Sequence, residues 1–159
     1  MTLAIRFAAP ADVPTIASLI RALARYEKLE HEVRLTEDKL RDSMFGARPY
    51  AEAILAEDDG KPVGFALFFH NYSTFLAQPG LYLEDLYVHE SQRGKGVGKA
   101  LLVELAKIAV QRGCGRMEWA VLDWNVDAIG FYKKLGATPN SEWTVYRLTG
   151  EALTALAGK

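Results

Sequence analysis

The stretch ESQRGKGVGKALL, residues 90–102, sets three glycines among two lysines and an arginine and runs straight into a leucine-rich segment. Glycines at a strand-to-helix junction let the backbone turn tightly and aim several N–H groups one way. The helix that follows adds the positive end of its dipole. That is the physics of a phosphate cradle, and Arg93, Lys95 and Lys99 can add charge-assisted bonds. Two familiar cradles do not fit. A Walker A loop needs a glycine five residues before its Gly-Lys pair and Ser or Thr after it, but Gly98-Lys99 has Arg93 and Ala100 at those places. A Rossmann Gly-x-Gly-x-x-Gly started at Gly94 ends on Lys99, and started at Gly96 it ends on Leu101.

The flanks read as alternating strands and helices. After the loop, Val97, Leu101, Leu105 and Ile108 form the stripe of a helix over 97–111, stopped by Gly113 and Gly115. Before it, residues 81–88 form an apolar strand. Working towards the N-terminus, Gln78-Pro79-Gly80 reads as a loop and 62–72 as a strand. Asp58-Asp59-Gly60-Lys61 is a hairpin turn, and 51–57 is the other arm. Thr36 caps a helix ending before Gly46, with Glu37 and Asp38 in its first turn. Val13, Ile16, Ile20 and Leu23 stripe a helix opened by Pro10-Ala11-Asp12, and residues 4–7 are a short strand. Towards the C-terminus, strands are expected over 117–122 and 143–148, and helices over 126–135 and 151–157. The class is mixed α/β.

The 159 residues suit one domain, 1–159. Half are hydrophobic and a quarter charged, as in an ordinary globular protein. A net charge of −1 argues against a nucleic-acid partner, and no run approaches the ~20 apolar residues of a membrane span. Residues 1–6 lack the basic-then-apolar order of a signal peptide, and the lone Cys114 allows no intrachain disulfide, so a cytoplasmic location is the default. Scattered His31, His70 and His89 lack ligand spacing, and no metal is expected.

Arg93-Gly94-Lys95-Gly96-Val97-Gly98 matches the Gln/Arg-x-x-Gly-x-Gly/Ala signature of the GNAT acetyltransferases. Leu81-Tyr82-Leu83-Glu84-Asp85-Leu86-Tyr87-Val88 resembles that family's central strand, and Asn125 followed by Phe131-Tyr132 and Gly136 resembles its next unit. With Tyr26-Glu27, the likeness runs over residues 5–156 and points to the diamine branch, the spermidine/spermine acetyltransferases and their thialysine-acetylating relatives. The resemblance implies a central twisted mixed, mostly antiparallel sheet flanked by helices, with a splayed central strand pair that binds acetyl-CoA. Residues Gly94, Lys95, Gly96, Val97, Gly98 and Lys99, with Arg93, would hold the pyrophosphate. The backbone of Leu86, Tyr87 and Val88 would pair with the pantetheine arm, and Asn125 would touch it. A homodimer is implied as well.

Acetyl transfer to an amine requires a base, because an alkylammonium with a pKa of ~10.4 arrives protonated, and an acid for the departing thiolate. By resemblance Tyr132 is the acid and Glu84 the base, acting through water. Neighbouring strand residues point to opposite faces, so Glu84 and Asp85 cannot both face the site unless a bulge intervenes; Glu84 is favoured. Tyr26, Glu27, Glu84 and Asp85, with Trp119 and Trp124 as aromatic walls, would bind the acceptor. Ser73 stands where the polyamine enzymes carry an acid, which makes a lysine-like amino acid as good an acceptor as spermidine. The expected activity is acetyl-CoA-dependent N-acetylation of a small primary amine. The alternatives are a protein or peptide N-acetyltransferase and a non-catalytic CoA-binding sensor.

Overall fold

The computed structural model describes residues 1–159. They form two compact units, Met1–Ala120 and Val121–Lys159.

The first unit is built on a five-stranded sheet: β1 (Leu3–Phe7), β2 (Glu52–Asp58), β3 (Lys61–Ser73), β4 (Gln78–Val88) and β5 (Met117–Trp119), in that spatial order. The first three pairings are antiparallel and β4–β5 is parallel. Asp59 and Gly60 take φ of 50° and 77°, the left-handed pair a two-residue hairpin needs. Helix α1 (Val13–Tyr26) and helix α2 (Glu37–Phe45) precede the long strands, and helix α3 (Val97–Gln111) follows β4. Thr36 caps α2 as expected, its hydroxyl accepting from the Lys39 N–H at 3.2 Å.

Alternation along the strands places Ala53, Leu55, Phe65 and Leu67 on one face, where they form one core with Ile16, Leu19 and Met44 of α1 and α2. Ile54, Ala66 and Phe68 alternate to the other face and are equally buried. With both faces covered, the strands read as continuous apolar runs rather than alternating ones. No helix is long and apolar enough to cross a membrane.

Two strand boundaries depart from the sequence expectation in this unit. Gln78-Pro79-Gly80 is the first part of β4, not a loop; Tyr72 pairs with Pro79 and Asn71 with Gly80. Gly80 serves close approach rather than a turn, since a Cβ there would lie 2.2 Å from Asn71 Oδ1. β5 stops at Trp119 instead of running to residue 122, because its ladder with β4 ends at Leu83–Trp119.

The second unit contains helix α4 (Val126–Lys134) and helix α5 (Gly150–Ala157). Gly136, with φ of 92°, follows the end of α4. The strand expected over 143–148 does not form. Its residues have strand-forming side chains but no neighbouring strand to bond with, and β propensity needs a partner to act. Trp143, Val145 and Tyr146 are 77%, 89% and 93% exposed.

Candidate active site

The site begins where two parallel strands part. β4 pairs with β3 as far as Gly64–Val88, but with β5 only from Leu81–Met117 to Leu83–Trp119. Beyond Leu83 the β5-side edge of β4 is therefore open. The His89 N–H donates to the Val63 carbonyl at 2.8 Å, so that pair is a hydrogen-bonded one. Antiparallel pairs alternate, so the peptide groups of Leu86 and Val88 face the open edge while those of Tyr87 face β3. An extended amide-bearing arm can pair with such an edge as an added strand.

The open edge leads into the glycine loop. Gly94 and Gly96 have φ of 77° and 85°, which only glycine adopts freely. Gly96 is the N-cap of α3, and a Cβ at either glycine would meet nothing within 4 Å. The glycines are there for backbone direction, and they leave bare N–H groups and open space at a helix N-terminus. Val97 is buried and pins the loop to the core, while Lys95 and Lys99 are exposed. The Arg93 side chain is turned onto the protein: its Nε–H donates to the Val88 carbonyl at 3.0 Å, and its guanidinium lies 4.4 Å from the Tyr26 ring centre and 5.5 Å from that of Tyr87.

The third component is acidic. The β3–β4 ladder shifts between Leu67–Asp85 and Phe68–Leu83, which leaves Glu84 as the extra residue of a bulge. The bulge removes the alternation that would send Glu84 and Asp85 to opposite faces. Glu84 is exposed and Asp85 partly buried. The Asp85 carboxyl is pushed up to about 7, first by burial and then by the charges of Glu84 and Glu27. Glu27 is itself raised by burial. Glu27 follows α1, whose end is fixed by Lys28 in the left-handed region at φ 61° and by the Leu29 N–H donating to the Ala24 carbonyl at 2.8 Å. The charges of Glu84 and Glu27 thus both bear on Asp85. Tyr82 is raised by burial and by Glu84 and Glu118.

The remaining candidates divide between the units. Trp119 occupies the last paired position of β5 and is partly buried. Trp124, Asn125 and Tyr132 belong to the second unit. Asn125 is the N-cap of α4, its Oδ1 accepting from the Ala128 N–H at 3.3 Å. Tyr132 lies seven residues on, two helical turns, and so shares a face of α4 with Asn125. Its ring is tilted against Phe131 at 5.6 Å. Ser73 is buried and its Oγ accepts from the Leu76 N–H, so it closes the β3–β4 turn. No group of three His, Cys, Asp or Glu side chains is placed to hold a metal ion.

Sequence reasoning named a bulge only as the exception to strand alternation, and it missed the Arg93 contacts. The bulge had a signal: the apolar positions run Leu81, Leu83, then Leu86, Val88, a change of parity across Glu84-Asp85. The aromatic partners of Arg93 are distant in sequence and left no local trace.

The profile of the Acetyltransferase (GNAT) family matches residues 15–137. The thialysine N-epsilon-acetyltransferase of Bos taurus is 40% identical, over 98% of this chain and 97% of its own length. The L-ornithine N5-acetyltransferase NATA1 of Arabidopsis thaliana is 37% identical, over 96% of this chain and 86% of its own length. Among solved structures, an integron cassette protein from the mobile metagenome of V. cholerae superposes with a TM-score of 0.85 at 28% identity, covering 100% of this chain and 99% of the other. The open strand edge and the glycine cradle thus occur in a chain that belongs to the GNAT acetyltransferase family, and the protein is an acetyl-CoA-dependent N-acetyltransferase.

Proposed function

We propose that the protein, with residues 1–159 working as one catalytic domain, acetylates the primary amine of a small molecule by direct attack on acetyl-CoA. The acceptor is a diamine, polyamine or amino acid of the lysine or ornithine type. The observation that carries this is the grouping of Glu27, Glu84 and Asp85 beside the open edge of β4. The names of the thialysine and ornithine relatives support an amino-acid acceptor. So does Ser73, which is occupied in the hairpin turn and offers no acid to a distant ammonium.

In this reading the backbone of residues 93–99, with Lys95 and Lys99, binds the pyrophosphate, and the outward peptide groups of Leu86 and the outward N–H of Val88 pair with the pantetheine arm. One outward N–H also polarises the thioester carbonyl. Asn125 contacts the arm, and Trp119 and Trp124 line the acceptor. Asp85 and Glu27 hold the ammonium, and exposed Glu84 takes its proton through water. The neutral amine attacks the thioester carbon, the C–S bond breaks, and the Tyr132 hydroxyl protonates the departing thiolate. A reducing cytoplasm suits both the cofactor and the lone Cys114 thiol.

The test is thiol release from acetyl-CoA with putrescine, spermidine, spermine, lysine, ornithine, thialysine and a histone-tail peptide. Turnover on one small amine is expected. Acetylation of the peptide alone would move the acceptor to proteins, and tight CoA binding with silence throughout would leave a sensor. Tyr132→Phe is expected to lower kcat by roughly 10²–10⁴-fold with CoA affinity within about 3-fold of wild type; unchanged kcat removes Tyr132 as the acid.

The reading includes a homodimer. Residues 143–148 are a strand-forming run with no ladder of their own. A second copy would supply the missing ladder. Light scattering should give twice the chain mass, and Val145→Asp with Tyr146→Ser should halve it. A wild-type monomer with full activity overturns the dimer.

A further inference from the structure

Arg93 lies in the loop assigned to the pyrophosphate, where an arginine side chain would be expected to reach for a phosphate. Its guanidinium instead lies 4.4 Å from the Tyr26 ring centre and 5.5 Å from that of Tyr87, with its Nε–H on the Val88 carbonyl at 3.0 Å. Three elements meet at this one side chain: the end of α1, the end of β4 and the loop before α3. Tyr26 immediately precedes Glu27, whose charge bears on Asp85. The Val88 carbonyl is the last outward-facing acceptor of the open edge, so the Arg93 Nε–H also closes that edge and defines where an added strand must stop.

We propose that Arg93 is a positioning residue for the acceptor amine, a brace by which the cofactor loop holds Tyr26-Glu27 in place beside β4. Its backbone serves the cofactor and its side chain serves the acceptor side. An ordered loop therefore fixes Tyr26, and an empty, looser loop leaves the amine site less formed. The two substrates are coupled through a cation stacked on an aromatic ring, with no contact between Arg93 and either reacting atom. This rests on the acetyltransferase reading above.

The test is a double-mutant cycle on Arg93→Ala and Tyr26→Ala, with Arg93→Lys as the conservative variant. Both positions are exposed, so neither change opens the core. CoA affinity is read by calorimetry without amine, and amine KM and kcat at saturating acetyl-CoA. Each single variant should raise amine KM by roughly 5–30-fold, the range for losing one partly desolvated cation–aromatic contact. The double variant should be no worse than the weaker single one. CoA affinity of Arg93→Ala should stay within about 3-fold of wild type, and Arg93→Lys, which keeps a cation near the ring, should recover part of the KM. Weakened CoA binding with unchanged amine KM would make Arg93 a plain phosphate ligand and overturn the brace, as would additive effects in the cycle. A wild-type protein that binds no CoA and acetylates no amine would instead sink the functional reading before Arg93 is touched.

Discussion

Gly96→Asp is expected to weaken acetyl-CoA binding by roughly 100-fold or more while the protein stays folded. Three effects are separable at this position. The first is packing: a Cβ at Gly96 meets nothing within 4 Å, so the substitution displaces no side chain. The second is backbone strain: φ is 85°, and a left-handed residue other than glycine costs about 1–2 kcal/mol, with Asp among the better tolerated. The third is electrostatic and is the largest. Asp at the N-cap of α3 places a carboxylate where the pyrophosphate would lie, and its oxygens take up the N–H groups the ligand needs. Gly96→Ala isolates the strain, and its loss of affinity should be about 30-fold at most, the upper end of that strain. Calorimetry with CoA, beside an unfolding transition for each variant, decides the matter. If Gly96→Asp binds as wild type does, the pyrophosphate is not held by this loop. If Ala and Asp are equally damaging, strain rather than charge is responsible.

The helices and the loop were legible because their causes are local. The stripe Val97, Leu101, Leu105, Ile108 marks α3 over the residues where it forms. Thr36 caps α2, and Asp59-Gly60 makes its hairpin. The strands were less legible because a strand exists only by pairing. Residues 120–122 and 143–148 have the side chains of strands and no ladder, and Gln78-Pro79-Gly80 has the composition of a turn yet pairs with residues 71–73. The acidic cluster follows the same division. Glu27, Glu84 and Asp85 could each be named from the sequence, but their mutual reach depends on a bulge and on how α1 meets β4. Strict alternation treats Glu84 and Asp85 as exclusive alternatives, whereas the bulge makes them neighbours with different environments, one exposed and one partly buried.

Asp85→Asn should make the protein more stable at pH 8 and a much poorer enzyme. The carboxyl is pushed from its ordinary 3.8 up to about 7, so the folded state holds this proton between pH 4 and 7 while the unfolded chain has released it. Its contribution is therefore most favourable below pH 4, declines as pH rises to 7, and stays unfavourable above. The interval between 3.8 and about 7 corresponds to about 4 kcal/mol as an upper bound, since 1.36 kcal/mol accompanies each pH unit. Asn cannot ionise, so its advantage should be nil at pH 4 and full by pH 8, where Tm should rise by about 5–10 °C for a chain of this size. An incoming ammonium reverses the balance, because it supplies the positive charge that a partly buried Asp85 lacks among Glu84 and Glu27. In the proposed reading the fold tolerates a negative charge that the acceptor amine relieves, a burden expected where function and stability compete. In kinetics, kcat/KM of the wild type should fall as pH drops through about 7, with Asp85→Asn losing that limb along with most of its amine affinity. Equal Tm values at pH 8 would show that Asp85 ionises without penalty. A stabilised Asp85→Asn that keeps the limb would show that Asp85 is not the group behind it and leave Asp85 as an electrostatic anchor for the ammonium.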